Sequence, residues 1–145
     1  MSANLIFDLS NTVALIGWLI LILAPQQWIW KDKVIISLPV TGLAVLYVFG
    51  LSNGFQMEDF EQFSSLEGIM GLFGNKLAVA TGWVHYLAFD LMTGLWIKNN
   101  GHLHQINKWF LIPCLLFTFL SGPFGLLLYL ILRVIHTKNL FPSNY

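Results

Sequence analysis

Four stretches of this chain run for about 20 residues with almost no charge, the length an α-helix needs to cross the roughly 30 Å hydrocarbon core of a bilayer. They cover residues 5–24, 34–54, 77–97 and 109–132. In lipid a segment must satisfy its own backbone groups, which a helix does and a lone strand does not. The sequence therefore predicts an all-α fold: a four-helix transmembrane bundle forming a single integral membrane domain over residues 1–145. Composition agrees. Only 10% of residues are charged, 57% are apolar, and mean hydropathy is +0.71. A soluble domain of this size has too much surface for so few charges to cover.

Several function classes fall away. Seven Lys+Arg balance seven Asp+Glu, so there is no basic field for nucleic acid. Cys114 is the single cysteine; it reads as a small buried apolar residue. No Walker loop, GxGxxG or GxSxG string is present, and no cofactor is expected. Signal peptides open on a basic n-region, whereas the first basic residue here is Lys31, after the first apolar run. The first span reads as an uncleaved helix, and without an Arg- and Ser-rich leader a multi-pass protein of a bacterial cytoplasmic or cyanobacterial membrane is expected.

Short connections join the first span to the second and the third to the fourth, which makes those neighbours antiparallel. The link between the second and third is longer and acidic, with Glu58, Asp59, Glu61 and Glu67. Phe60, Phe63, Leu66, Met70 and Phe73 recur in it at helical spacing. It reads as an amphipathic segment lying in the membrane interface, or as a lid over a membrane-facing site. With four straight crossings, Lys31, Lys33, Lys98 and Lys108 stand on one side and Lys76, Arg133 and Lys138 on the other. Four against three favours both termini outside under the positive-inside rule.

Polar groups inside the spans are few. The third span is richest, with Trp83, His85, Tyr86, Asp90 and Thr93. At about 100° per residue, Trp83, Tyr86, Asp90 and Thr93 fall on one arc, and His85 lies about 140° from Asp90. An ionised Asp at mid-bilayer costs about 2.5–3.5 kcal/mol, so Asp90 needs a partner, a polar cavity or a proton. Two readings stand: His85 and Asp90 are interhelical glue, or they are an acid–base pair lining one cavity, which the company of Tyr86 and Trp83 favours. No HxxxH or ExxH spacing surrounds them, so no metal is expected, and His102 and His104 read as loop histidines. In the first span Asn11 faces the bundle as a hydrogen-bonding group. The fourth carries Thr118 and a Gly122-Pro123 pair, at which the helix is expected to bend and free backbone carbonyls.

The string Gly82-Trp83-Val84-His85-Tyr86-Leu87-Ala88-Phe89-Asp90-Leu91, followed by Gly94, resembles the signature of the ABA4-like family of membrane proteins. The run from Ile112 to Tyr129, with Ser121-Gly122-Pro123-Phe124-Gly125 at its centre, looks like that family's last-helix motif, and the first span is similar through Asn11, Gly17, Trp18 and Pro25. Plant members are linked to neoxanthin synthesis. The resemblance therefore implies a redox-neutral isomerisation of an epoxy-carotenoid to an allenic alcohol, with no metal or nucleotide. On that basis His85 and Asp90 are the catalytic candidates, and Trp83, Tyr86, Phe89, Asn11 and Thr118 the substrate-binding ones. The alternative is a non-enzymatic module that binds a lipid or pigment or packs into a larger complex. Expected partners are membrane lipid, a carotenoid or other isoprenoid, and a second copy of the chain.

Overall fold

The computed structural model describes residues 1–25, 28, 30–56 and 59–138. Among them every regular element is helical. Helix α1 is Ala3–Leu23, begun by the Ser2 side chain accepting from the Leu5 amide. A continuous helical run, Lys31–Gly54, follows. It comprises α2 (Lys31–Ile35), a π-helical turn (Ile36–Val40) and α3 (Thr41–Gly54). The π turn sits at Pro39, which has no amide hydrogen to give. The Thr41 hydroxyl donates to the Ile36 carbonyl there at 2.8 Å.

Two short helices, α4 (Asp59–Gln62) and α5 (Leu66–Leu72), occupy the long link. Ser65 caps α5 and interrupts the helical spacing, so Phe60, Phe63, Leu66, Met70 and Phe73 do not form one continuous stripe. Of the acids expected in this link, Glu58 lies outside the described residues. Helix α6 is Lys76–Leu103 and α7 is Lys108–Thr137, each begun by an asparagine side chain, Asn75 and Asn107, accepting an amide of the first turn.

Three segments are long and apolar enough to cross a membrane: Ala3–Leu23, Lys31–Gly54 and Lys108–Thr137. The 28-residue α6 is not among them, because Thr81, His85, Asp90 and Thr93 dilute its apolarity. It is nevertheless the centre of the molecule, packing against α1, α3 and α7. Glycines set those approaches. A Cβ at Gly94 would strike the Trp18 ring, and one at Gly50 would strike Thr81. The pairs Asn11–Trp83, Gly17–Leu91 and Trp18–Gly94 run in the same order, so α1 and α6 are parallel. Gly54–Leu77, Gly50–Thr81 and Tyr47–His85 run in opposite order, so α3 is antiparallel to α6. Large apolar side chains stay exposed along these helices, among them Leu15, Leu19, Val45, Phe89, Leu116 and Ile131, which is the outward face of a lipid-bathed protein rather than a wet one.

Helix α7 departs most from expectation. Ser121 has φ −160° and ψ 75°, an extended residue inside a helical run. The chain does not merely bend there; it turns back. Gly125 lies against Thr118 and Cys114, and the Phe117 and Phe124 rings meet edge-on at 5.1 Å. Both halves return to the same end of α6: Leu111 touches Gly101, while Tyr129 and Arg133 reach Asn100. Residues 108–120 and 122–137 are thus two arms of a helical hairpin. Each arm is about 20–24 Å long, short of a full crossing. The bend expected in the span over 109–132 is a full reversal of the chain.

The reversal also redistributes charge. Lys31, Lys33, Lys98 and Lys108 share one end of the molecule, as expected. Arg133 and Lys138 join them there, because the second arm of α7 comes back to Asn100. Of the seven Lys and Arg, Lys76 alone begins α6 at the opposite end.

Candidate functional site

Asp90 lies halfway along α6 and is 7% exposed. Its carboxylate is pressed against the tip of the α7 hairpin. A Cβ on Gly122 would fall 1.8 Å from Oδ1 and 2.6 Å from Cγ, so only glycine fits. The Gly122 amide hydrogen-bonds the carboxyl. Chain logic explains this contact. The helix stops at Leu120 and restarts at Gly122, so the restarting arm has amides with no carbonyl behind them. Asp90 caps them from a neighbouring helix, with its negative charge at the positive end of the second arm. Pro123 falls in the first turn of that arm, where a missing N–H costs nothing. The other carboxylate oxygen, Oδ2, is buried without a hydrogen-bond partner.

The arm that stops leaves a free carbonyl on Leu120, and the Tyr86 hydroxyl donates to it at 3.3 Å. The same hydroxyl lies beside the Asp90 carboxyl. Tyr86 is one helical turn before Asp90, so the shared arc read from the sequence is what brings them together. The Trp83 ring follows Tyr86 at 5.4 Å, and its indole N–H donates to Asn11 Oδ1 at 2.9 Å. Phe7 covers the far side of Trp83 at 5.7 Å. Asn11 therefore orients Trp83 from α1.

The remaining expected residues fall elsewhere. His85 is exposed on the α3 side of α6, between Tyr47 at 5.3 Å and Phe89 at 4.7 Å. It borders a cavity of about 280 Å³ under Phe63, Leu72 and Phe73. The hairpin tip and Asp90 are on another face of α6, and Asp90 does not line the cavity beside His85. Phe89 is 62% exposed and flanks an apolar groove of about 430 Å³ with Met92, Trp96 and Leu126. Thr118 is fully buried, donates to the Cys114 carbonyl at 2.7 Å and seals the inside of the hairpin against Gly125. It is out of reach of a ligand. Lining the segment 59–73 over His85 gives the lid reading a physical footing, since that segment supplies the cavity's aromatic roof.

Two features escaped the sequence. The Gly122 amide and Leu120 carbonyl are site groups that carry no side-chain signal beyond the Gly-Pro pair. A buried network of Asn100, Tyr129 and Arg133 ties the second arm to α6: the Tyr129 hydroxyl donates to Asn100 Oδ1 at 2.6 Å, and Arg133 donates to the same oxygen at 3.3 Å while stacking 5.9 Å from Trp96. Arg133 is only 5% exposed.

No solved structure matches the chain. It is 31% identical, over 123 residues, to Protein ABA DEFICIENT 4, chloroplastic, of Arabidopsis thaliana. That match takes in 79% of this chain and 56% of the relative, so the chain spans about half the length of the curated relative it matches. The family model described as ABA DEFICIENT 4-like matches residues 5–129, which take in Asn11, Trp83, Tyr86, Asp90 and the whole hairpin tip. The chain belongs to the ABA4-like family.

Proposed function

We propose that this chain is a multi-pass membrane protein that isomerises an isoprenoid, an epoxy-carotenoid in the reading closest to its family, at the Asp90–Tyr86 site. In this reading α1, the run Lys31–Gly54 and α6 cross the bilayer, α4 and α5 lie at its surface, and α7 enters and leaves by one face. Thr81, Asp90 and Asn100 of α6 are buried among the helices packed on three sides of it. The six basic residues at one end support the reading in which that end is cytoplasmic.

One observation carries the assignment: a buried carboxylate anchored through one oxygen, with the other oxygen unpartnered and a phenol beside it. Conversion of an epoxide to an allenic alcohol needs a proton delivered to the epoxide oxygen as its C–O bond breaks, and a proton removed from a polyene carbon. Tyr86 delivers and Asp90 removes. Because the two groups adjoin, the proton gained by Asp90 passes to the tyrosinate, and the site resets without any external redox partner. The Tyr86–Leu120 bond of 3.3 Å is at the long end for a hydroxyl donor, so exchanging that carbonyl for an epoxide oxygen costs little. Trp83, held by Asn11 and partly exposed, offers an apolar edge to a polyene. His85 stands outside this chemistry.

The test is co-expression in cells that make violaxanthin. Asp90→Asn and Tyr86→Phe abolish an allenic product while the protein still accumulates in the membrane, and His85→Ala retains it. Pigment left unchanged by well-folded wild-type protein defeats the isomerase reading and leaves a binding module. Loss with His85→Ala and retention with Asp90→Asn defeats the site.

A further inference from the structure

At the basic end, α1, α6 and the first arm of α7 enclose a groove of about 430 Å³. Lys98, His102 and Lys108 line its polar side, and Ile22, Leu111 and Leu115 are among its apolar walls; among the described residues no carboxylate lines it. We propose that this groove binds an anionic phospholipid, its phosphate among the three nitrogen bases and an acyl chain along the apolar wall.

Three observations support one occupant. First, the charge is fixed in place. The Lys98 ammonium donates to the carbonyls of Leu21 and Ala24, the latter at 2.7 Å, which cap the end of α1. Both bonds hold the side chain, the carbonyls are neutral, and the nearby Asp32 carboxylate is turned to Lys31 and Asn99 and does not line the groove. Second, the depth is right. Trp28, Trp30 and Trp109 are exposed around this same end at 42%, 61% and 69%, and tryptophans gather at the headgroup level of a bilayer. Third, the groove is two-natured, with polar groups at the mouth of an apolar trough, which fits a lipid and not a free anion. The proposal shares the membrane placement above but does not depend on the chemistry at Asp90.

Purified full-length protein in a neutral detergent is titrated with dioleoylphosphatidylglycerol or dioleoylphosphatidylcholine, and bound lipid is counted by native mass spectrometry. Lys108→Gln and His102→Gln replace exposed side chains, so the fold is preserved; thermal unfolding checks this. The wild type retains phosphatidylglycerol in preference to phosphatidylcholine. Lys108→Gln weakens it about fivefold, the effect of removing one lysine near an anionic headgroup, and the double variant weakens it further. Lys76→Gln, at the opposite end, leaves it unchanged. Equal retention of the two lipids overturns the proposal, as does a Lys108→Gln protein that binds like the wild type. Displacement of the lipid by millimolar inorganic phosphate alone overturns the two-natured site. Because His102 and Lys108 are remote from the hairpin tip, these results leave the isomerase assay untouched.

Discussion

Adding one methyl group at Gly122 tests the contact on which the site is built. The new Cβ would fall 1.8 Å from Asp90 Oδ1 and 3.0 Å from Oδ2, far inside contact distance. The carboxylate cannot retreat freely, because it lies between α6 and the hairpin tip. Either Asp90 rotates away and loses the Gly122 amide, or the tip shifts off α6. Overpacking of this kind costs about 1–3 kcal/mol, and a lost charge-assisted hydrogen bond costs about 1.5–3 kcal/mol. Since relief of the clash proceeds through loss of the bond, the two overlap, and about 2–3 kcal/mol is expected for Gly122→Ala. Reversible unfolding in mixed micelles measures it. The diagnostic is the background. With Asp90→Ala already present there is no carboxylate to strike, and Gly122→Ala then costs close to nothing. Gly42→Ala, whose Cβ would meet only Val13 at 3.7 Å, is the control and gains about 0.5–1 kcal/mol from helix propensity. A Gly122→Ala protein as stable as the wild type, or one equally damaged in both backgrounds, refutes the docking of Asp90 on the tip.

Tyr129→Phe removes the hydroxyl that donates to Asn100 at 2.6 Å, while Arg133 still donates to the same oxygen. A loss of about 0.5–1.5 kcal/mol is expected by the same unfolding assay, and no loss would mean that the second arm is not held there. Reporter fusions check the hairpin independently: a fluorescent protein at the C-terminus glows from the cytoplasm, and alkaline phosphatase placed at the N-terminus or in the link before Lys76 is active outside. Both termini on one face would show α7 crossing in full.

The helices were legible because apolar runs of spanning length announce themselves. So was the shared face of Trp83, Tyr86 and Asp90, because helical angle is arithmetic. The hairpin was not. Lys108 to Thr137 has the length and hydropathy of one crossing, and a Gly-Pro pair in such a run signals a bend without giving its size. The size comes from long-range pairs: Gly125 small enough to meet Thr118, and Tyr129 and Arg133 with Asn100 waiting on α6. Missing the reversal put Arg133 and Lys138 at the wrong end, which is why the charge asymmetry read as four to three instead of six to one. The separation of His85 from Asp90 was legible in part. Its sequence distance from Asp90 is short, but the angle between them was already unfavourable, and α3 and α7 claim opposite sides of α6.

A carboxylate at mid-membrane needs about 2.5–3.5 kcal/mol of compensation on insertion scales. A straight fourth helix would offer Asp90 only side chains and satisfied backbone. The broken one offers a helix start. An N-terminus contributes up to about 2 kcal/mol to a partly buried anion, and a charge-assisted bond from one of its amides about 1.5–3 kcal/mol; the two overlap, because the dipole's positive end is those free amides, and each is of the order of the cost. The break thus makes the charge tolerable, and the charge in turn satisfies the break. That mutual dependence also fixes the geometry of the pair. The Gly122 amide holds the carboxyl in one place, and Oδ2 stays buried without a hydrogen-bond partner. The Leu120 carbonyl, released by the same break, accepts from the Tyr86 hydroxyl one turn before Asp90. The placing of both side chains follows from ending a helix at one residue and restarting it two residues later.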